Sequence, residues 1–315
     1  MNTGTLDKTN ARSKVREPTM IEPTIESVNV LFQKHKINDQ IVSFQRLSGT
    51  TSGLVLRLES EYEFKYILKF DNPSQIRLVE QLLHTYEHSV LLPKVLFSAE
   101  DSSYFVYTFL DGTTHFNRGP KSSWMKILIM DLLNKYVEHK ETSTWGRIEY
   151  PRKTWKEFNE ISIDEARMNL RNVLSTEDYN YVKLKASKLF YDDSKQGTKY
   201  LLHGDTGVHN FVYNNATLIG VIDPSPMVGP IVYDFLYAFC SSPDDINSDT
   251  LFKASDLLEH GNIERTRLIE ETLIQLYCRI GLSVRHHPND LKEYIQAWEY
   301  WKQLCKQIDE GIGII

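Results

Sequence analysis

The segment His203-Gly204-Asp205, followed by Asn210 and then by Asp223, constrains the fold of this chain more than any other part of it. Residues 211–222 are apolar and β-branched on both sides of a turn at Asn214-Asn215-Ala216, which predicts a short β-hairpin. Because an antiparallel hairpin brings its two ends together, we expect Asn210 and Asp223 to lie side by side. Asp205 falls on the loop that leads into the first strand.

This arrangement gathers two carboxylates and one amide oxygen. Groups of this kind repel one another unless a positive charge lies between them. Hard oxygen ligands suit Mg²⁺ that arrives on the phosphates of a substrate. The hairpin therefore predicts the metal-binding end of a phosphoryl-transfer site.

The chain of 315 residues is long enough for one large domain or for two lobes with a substantial core. It is 41% hydrophobic and 25% charged, as expected of an ordinary globular protein. A net charge of −6 and a pI near 6.0 argue against a general nucleic-acid-binding protein, which normally carries a basic surplus.

No membrane span or signal peptide is predicted, because no stretch approaches the ~20 apolar residues that cross a bilayer and the N-terminal segment is polar. Cys240, Cys278 and Cys305 are odd in number and widely spaced. They predict reduced thiols in a cytoplasmic protein rather than a disulfide framework.

The N-terminal part of the chain predicts a sheet of five strands with one inserted helix. A short helix first opens at Pro23-Thr24. The strands are predicted at residues 42–47, 54–58, 66–70, 94–98 and 104–109, and the inserted helix follows Asn72-Pro73-Ser74 and runs to about Glu87.

From Asp111-Gly112 onward the pattern is mainly helical. Gly281 is expected to end one of these helices, since glycine is common just past a helix C-terminus. The clearest helical segments are residues 127–136, 155–161, 179–191, 265–280 and 291–308.

The block from Leu201 to Phe235 resembles the aminoglycoside phosphotransferase family, within the wider protein-kinase-like superfold. It contains the His-x-Asp-x-x-x-x-Asn element, the following hairpin, the Asp-Pro pair at Asp223-Pro224, and a Gly-Pro-x-x-Tyr-Asp signature that ends at Asp234. The resemblance extends from about Val42 to the last helix. It implies an α+β, bilobal fold, in which a small five-stranded antiparallel N-lobe with one helix precedes a larger, mainly helical C-lobe.

The residue pattern divides the chain into a tail and two lobes, and the resemblance assigns the central roles. Residues 1–22 are predicted to form a flexible tail, 23–110 the nucleotide-binding N-lobe, and 111–315 the C-lobe. Asp205 is the predicted catalytic residue, which accepts or orients the proton of the substrate hydroxyl. Asn210 and Asp223 are the predicted Mg²⁺ ligands, whereas His203 and Asp234 are expected to brace the catalytic loop.

On the nucleotide side, Lys69 resembles the lysine that contacts the α- and β-phosphates of ATP. Its expected partner is Glu80, which lies on the apolar stripe of the inserted helix, where an unpaired carboxylate is costly. Glu87 lies on the same stripe and is the alternative partner.

Two further segments are predicted to contact the nucleotide. A glycine-containing turn would cover the phosphates with its backbone N–H groups, and the connector between the lobes would offer backbone groups to the adenine. The turn comprises Ser48, Gly49, Thr50, Thr51, Ser52 and Gly53, and the connector comprises Phe109 and Leu110.

The predicted acceptor is a hydroxyl group of a small molecule. Only ten residues separate Asp223 from Asp234, which leaves no room for the longer peptide-docking segment of protein kinases, so no protein substrate is expected. An aminoglycoside-type antibiotic is the first prediction, with a role in antibiotic resistance. Carboxylates that could line a pocket for such a cation are Asp244, Asp245, Asp249, Glu259, Glu264, Glu270 and Glu271.

Two alternatives stay open. The first is a metabolic kinase that acts on choline, homoserine, a methylthio-sugar or an amino sugar. The second is a catalytically silent nucleotide-binding regulator, which the intact Lys69, Asp205, Asn210 and Asp223 disfavour. The Tyr294, Trp298 and Trp301 stripe has helical spacing and predicts core packing rather than a cofactor site.

Overall fold

Nine α-helices and eleven strands make up the part of the chain described by the computed structural model, residues 22–47, 53–114, 117–140, 142–260 and 263–312. The helices are α1 (Ile25–Lys34), α2 (Pro73–Thr85), α3 (Lys121–Asp131), α4 (Trp155–Leu170), α5 (Thr176–Leu189), α6 (Ile231–Cys240), α7 (Ser248–Ser255), α8 (Arg265–His286) and α9 (Leu291–Asp309). The strands are β1 (Ile41–Arg46), β2 (Leu54–Ser60), β3 (Lys65–Phe70), β4 (Val95–Ser98), β5 (Tyr104–Thr108), β6 (Thr113–Thr114), β7 (Gly146–Arg147), β8 (Tyr200–Leu202), β9 (Phe211–Asn214), β10 (Thr217–Val221) and β11 (Met227–Gly229).

The first five strands form one antiparallel sheet in the order β1-β2-β3-β5-β4, as predicted. Strand β3 lies at the centre, where Lys69 is paired with Val55 on one side and Phe105 on the other. Helix α1 covers one face of the sheet with Val28 and Phe32, both fully buried. The central position of β3 fixes where the Lys69 side chain can reach.

Both N-lobe helices begin at the side-chain caps that the sequence predicts. Thr24 accepts a hydrogen bond from the Ser27 amide at 3.2 Å, and Asn72 accepts one from the Ser74 amide at 3.0 Å. Each cap pairs an amide that has no partner within the first turn of its helix. Pro73 at the first position of α2 adds a preset φ and requires no donor.

The larger core lies in the helical lobe, around α4, α6, α8 and α9. Tyr294, Trp298 and Trp301 are fully buried there, which confirms the prediction of core packing for this stripe. The apolar residues of α2, including Ile76 and Val79, pack into this core rather than into the core between α1 and the sheet. Helix α2, which is inserted between two strands of the sheet, therefore packs against the helical lobe.

The prediction that Gly281 ends a helix is wrong. Helix α8 continues through it to His286. A Cβ atom placed on Gly281 would lie 2.9 Å from both the Cα and the Cβ of Ala166 on α4. The glycine is thus explained by the close approach of two helices, which leaves no space for a side chain, rather than by a need for left-handed backbone.

Two small sheets of three strands lie in the C-lobe, one in the order β10-β9-β6 and the other in the order β7-β11-β8. Sequence patterns did not predict β7, β8 and β11. Strand β8 leads into His203, and β11 follows Asp223 closely in the chain. This sheet therefore holds the two ends of the predicted catalytic segment against each other.

None of the nine helices is both long enough and apolar enough to cross a membrane, within the residues that the structure describes.

We predict that Gly281→Val lowers the free energy of unfolding by about 1–3 kcal/mol, because the added side chain overpacks the contact between α4 and α8. Leu282→Val is the matched control, since it introduces the same β-branched residue one position away, where the side chain is 37% exposed. Urea denaturation of both variants measures the difference. Equal losses would show that helix propensity, and not the Ala166 contact, determines the effect.

Candidate active site

The hairpin of β9 and β10 has the geometry predicted from the sequence. Its last paired residues are Phe211 and Val221, and the Ile222 amide donates to the Asn210 carbonyl at 2.9 Å. Asn210 and Asp223 consequently flank the same end of the hairpin. At the other end, Asn215 and Ala216 form a two-residue turn with φ values of 47° and 61°. Two left-handed residues in succession match the right-handed twist of the strands that they join.

Asp205 lies on the loop between β8 and β9, in contact with Asn210. The Asn210 Nδ2 atom donates to the backbone carbonyl and to the Oδ2 atom of Asp205, at 3.0 Å in both cases. His209 Nε2 lies 3.4 Å from the same Oδ2 atom. These contacts fix the orientation of the carboxylate relative to the hairpin.

Asp234 braces this loop from inside the C-lobe, as expected. Its fully buried carboxylate accepts hydrogen bonds from the Gly204 amide at 3.1 and 3.2 Å and from the Tyr136 hydroxyl at 2.6 Å. The Thr206 hydroxyl also donates to the Asp234 carbonyl at 2.7 Å. Burial raises the pKa of Asp234 to about 6, although the bonds from Tyr136 and Gly204 act in the opposite direction.

His203 has a structural position. Its Nδ1 atom accepts a hydrogen bond from the Asp205 amide at 3.3 Å, and its ring is completely buried. Burial lowers the pKa of His203 to about 4, so the ring is neutral near pH 7. The contact agrees with the predicted bracing of the Asp205 backbone.

The Asp205 carboxylate is ionised. Burial raises its pKa, but hydrogen bonding and charge from His209, the charge of Arg147 and a hydrogen bond from Tyr237 outweigh this effect and lower the pKa to about 2. A carboxylate with so low a pKa is a weak base near pH 7. The geometry and charge of Asp205 therefore suit it to orient a hydroxyl group. They suit it less to remove the proton of that hydroxyl group early in the reaction.

Lys69 reaches the hairpin from the N-lobe sheet. Its Nζ atom lies 3.2 Å from Asp223 Oδ1 and 3.8 Å from Asp71 Oδ2. The lysine thus places one positive charge at the carboxylate that is predicted to bind metal, across the boundary between the lobes.

The predicted partner of Lys69 is not the one observed. Among the described residues, Glu80 accepts from the Ser98 hydroxyl at 2.5 Å and lies 3.6 Å from His84 Nε2, whereas Lys69 pairs with Asp223 and Asp71. Ser98 belongs to the edge strand β4, which is two strands away from β3 and hence about 10 Å distant. The alternative, Glu87, lies beside His88 on the surface.

The predicted phosphate-covering turn is mostly outside the described residues, which exclude Ser48, Gly49, Thr50, Thr51 and Ser52. Gly53 is described, with a φ of +74°. A Cβ atom there would lie 2.1 Å from the Phe70 carbonyl oxygen, so only glycine fits this backbone.

The connector residues Phe109 and Leu110 link the N-lobe sheet to the C-lobe. The Phe109 amide donates to the Lys65 carbonyl at 3.2 Å, so it is not available to an adenine. Within the described residues, no backbone hydrogen bond engages the Phe109 carbonyl or either backbone group of Leu110, so these groups remain for the predicted contact.

One cavity of about 190 Å³ brings the predicted residues of both lobes together. It is lined by Lys69, Asp71, Phe105, Asp205, Asp223 and Ser225, among others. A larger cavity of about 420 Å³, next to Tyr200 and Arg267, shares none of these residues. The candidate catalytic, metal-binding and phosphate-binding residues Asp205, Asp223 and Lys69 therefore line the smaller cavity.

The donor set fits Mg²⁺ that is carried by substrate phosphates. The Asp223 side chain is 62% exposed. Asn210 directs its Nδ2 atom to Asp205, which leaves the Oδ1 atom of Asn210 as a ligand. Within the described residues, no cluster of three or more His, Cys, Asp or Glu side chains could hold a metal ion. One carboxylate and one amide oxygen match Mg²⁺, which usually keeps several waters or phosphate oxygens as ligands.

Several solved structures resemble this chain in fold. The chain superimposes on an aminoglycoside phosphotransferase of the APH(2″) type in complex with GDP and kanamycin, with a TM-score of 0.56 and 14% identity over 88% of this chain and 98% of that one. It superimposes on choline kinase from Cryptosporidium parvum with a TM-score of 0.57 and 11% identity, over 92% and 98%. The macrolide 2′-phosphotransferase from Brachybacterium faecium gives 0.54 and 12%, over 87% and 97%.

The chain has the protein-kinase-like fold of these small-molecule phosphotransferases. This confirms the predicted α+β fold with its five-stranded sheet and helical C-lobe. No family model and no curated protein matches the sequence, so the likeness is one of three-dimensional structure.

Three side chains around Asp205 were not predicted as site residues. His209 and Tyr237 approach its carboxylate, and Arg147 lies behind the same loop. The sequence could have indicated His209 as a site residue, because it directly precedes the predicted metal ligand Asn210. Arg147 has no such signal, and only its place on β7, in the small sheet of β7, β11 and β8, shows that it lies against this loop.

We predict that Asp234→Ala lowers the free energy of unfolding by about 2–4 kcal/mol, because it leaves the buried Gly204 amide and Tyr136 hydroxyl without an acceptor. Asp244→Ala is the control, since its exposed pair with Arg118 should contribute less than about 1 kcal/mol. Urea denaturation measures both. Similar values for the two variants would contradict the bracing role of Asp234.

Proposed function

We propose that this protein transfers the γ-phosphate of ATP, in the presence of Mg²⁺, to a hydroxyl group of a small molecule. The observation that supports the proposal best is the cavity in which Lys69 from the N-lobe meets Asp205 and Asp223 from the C-lobe. One cation for phosphate oxygens, one ionised carboxylate for a hydroxyl and one exposed carboxylate for a metal are the parts that phosphoryl transfer requires.

Each residue has a separate task in this proposal. Lys69 neutralises phosphate oxygens, and Asn210 and Asp223 would hold Mg²⁺, which supplies charge neutralisation on the phosphates when it is bound. Asp205 accepts a hydrogen bond from the acceptor hydroxyl and aligns its oxygen with the phosphorus. The oxygen–phosphorus bond forms as the bond from the γ-phosphorus to the bridging oxygen of ADP breaks, and the hydroxyl proton passes to Asp205 and then to solvent.

The electrostatics of Asp205 suit this task. Because its pKa is lowered to about 2, the carboxylate is present as a hydrogen-bond acceptor throughout the neutral range. Phosphoryl transfer proceeds through a loose transition state in which the nucleophile needs alignment more than early deprotonation. The Asn210 and His209 contacts supply that alignment by fixing Oδ2.

A small-molecule acceptor fits the segment between Asp223 and Asp234. This segment contains strand β11 and the beginning of α6, both packed in the C-lobe, and so leaves no extended surface for a peptide. The comparison proteins carry the names of enzymes for aminoglycosides, macrolides and choline. An aminoglycoside-type antibiotic and the metabolic acceptors stay predictions, as do the cytoplasmic location and a role in antibiotic resistance.

We expect Asp205→Asn to lower kcat by roughly 10²–10⁴-fold with little change in the Kd of Mg·ATP, because the substitution removes the charge that orients the hydroxyl. A coupled ADP-release assay with aminoglycosides, choline, homoserine and amino sugars identifies the acceptor and measures kcat. Asp131→Asn, which breaks an exposed pair with Lys135 at the end of α3, is the control. Turnover by Asp205→Asn at the parent rate would show that Asp205 is not the orienting group.

Asp223→Ala should abolish the Mg²⁺-dependent part of ATP binding, since it removes the only carboxylate of the proposed metal site. Calorimetric titration with ATP, with and without Mg²⁺, measures this part directly. Asp111→Ala, which breaks an exposed pair with Lys65, should leave it intact. If Asp223→Ala binds Mg·ATP as the parent does, Asp223 is not the metal ligand.

A further inference from the structure

Gln75 lines the cavity of about 190 Å³ together with Lys69, Asp205 and Asp223. It belongs to α2, which begins shortly after β3 ends. Gln75 and Lys69 therefore both reach this cavity from the N-lobe, which is the side from which Lys69 would contact phosphates in the proposed function.

The Nε2 atom of Gln75 is a donor without an acceptor. The atom is shielded from solvent, and no group among the described residues accepts a hydrogen bond from it. An amide nitrogen that is withdrawn from water and left unpaired costs about 1–3 kcal/mol. Because buried side-chain donors in proteins are in large majority paired, an unpaired one at a cavity indicates a ligand that accepts from it.

Apolar neighbours on α2 fix the position of Gln75. Ile76 and Val79 are buried in the core of the helical lobe, with 1% and 6% of their surface exposed. Val79 follows Gln75 by four positions, so the two residues share one face of the helix, and both line the cavity. The helix cannot rotate to bring the Gln75 amide into bulk water without withdrawing these two side chains from the core.

A role in capping α2 does not account for Gln75. Asn72 is the N-cap, and Gln75 is the third residue of the helix, where a glutamine can accept a hydrogen bond from the N-cap amide. The Asn72 amide donates instead to Asp71 Oδ1 at 2.8 Å. A capping box would also use the side-chain oxygen of Gln75 and leave its Nε2 atom unpaired.

The chemistry of the cavity indicates which ligand suits this donor. Asp71, Asp205 and Asp223 contribute carboxylates, and Lys69 lies 3.8 Å from Asp71 Oδ2 and 3.2 Å from Asp223 Oδ1. The Gln75 amide nitrogen carries two hydrogens and accepts nothing. It therefore complements a phosphate, whose charged non-bridging oxygens act as strong acceptors.

We propose that Gln75 Nε2 donates a hydrogen bond to a non-bridging oxygen of the β- or γ-phosphate of the nucleotide, beside Lys69. The inference rests on the proposed phosphotransferase function and deepens it by adding a phosphate-binding residue on α2. Lys69 supplies positive charge, and Gln75 supplies a neutral donor. Because this donor is unpaired before the nucleotide binds, the new hydrogen bond forms without the loss of an existing one.

Calorimetric titration of the full chain with Mg·ATP, Mg·ADP and adenosine tests the contact. Gln75→Met removes the donor but keeps the length of the side chain, and it should raise the Kd of Mg·ATP roughly tenfold or more, as expected for a hydrogen bond to a charged group. An equal increase for Mg·ADP assigns the contact to the β-phosphate, and an increase for Mg·ATP alone assigns it to the γ-phosphate. The Kd of adenosine should not change.

Thermal unfolding separates this role from a structural one. Without nucleotide, Gln75→Met should have a Tm equal to or above that of the parent, because it removes an unpaired buried donor. The rise in Tm that Mg·ATP produces should be smaller than in the parent, since stabilisation by a ligand follows its affinity. Gln81→Met is the matched control, which makes the same change at an exposed position of α2 and should leave both the Kd of Mg·ATP and this rise in Tm unchanged.

A second variant tests the sign of the interaction. Gln75→Glu keeps the size of the side chain but replaces the donor with a negative charge. It should raise the Kd of Mg·ATP more than Gln75→Met does, because a carboxylate repels the phosphates at short distance. Binding of Mg·ATP by Gln75→Glu at the parent affinity would contradict the contact.

The other outcomes separate the contact from the function. An unchanged Kd of Mg·ATP in Gln75→Met, or an equal increase in the Kd of adenosine, overturns the contact, while Mg·ATP binding by the parent leaves the proposed function standing. A nucleotide-free Tm of Gln75→Met below that of Gln81→Met, together with weaker binding, indicates a structural role and also overturns it. Absence of Mg·ATP binding by the parent would refute the proposed function itself and the contact with it.

Discussion

The buried carboxylate of Asp234 is the interaction on which the rest of the site depends. It joins the Gly204 amide and the Tyr136 hydroxyl in the interior of the C-lobe, where neither group has access to water. The Tyr136 hydroxyl in turn accepts from the His203 amide at 3.1 Å. The backbone on both sides of Gly204 is therefore fixed before any substrate binds, and Asp205 projects from a rigid support.

Asp205 and Asp234 show how the environment separates two carboxylates that lie in the same lobe. Asp234 is fully buried with neutral donors, so burial dominates and raises its pKa to about 6. Asp205 is next to His209 and Arg147, so their effect exceeds that of burial and its pKa falls to about 2. Asp234 thus has a structural role, whereas Asp205 is the ionised carboxylate at the cavity. A difference in pKa between two neighbouring carboxylates commonly distinguishes their roles in active sites.

Elements of the fold could be predicted where the sequence pattern of a single element determines them. The β9–β10 hairpin, the caps Thr24 and Asn72, and the buried Trp298 stripe all follow from spacing within one element. Strands β7, β8 and β11 have two or three residues each and pair only with distant segments, so no periodicity predicts them. For the same reason the sequence predicts Glu80 as the partner of Lys69, whereas the structure shows Asp223. Nearness in the sequence does not show which strand packs against helix α2.

The distribution of charge gives the site a direction. In the proposed function, Lys69 lies on the side of Asp205 where the phosphates would bind, and Arg147 lies next to the loop that carries Asp205. These two cations offset part of the negative charge of Asp71, Asp205 and Asp223, and Mg²⁺ would offset the charge of the phosphates when it is bound. The chemistry of the cavity therefore follows from the few charges that the five-stranded sheet, the sheet of β7, β11 and β8 and the hairpin bring together, and not from the net charge of −6 of the whole chain.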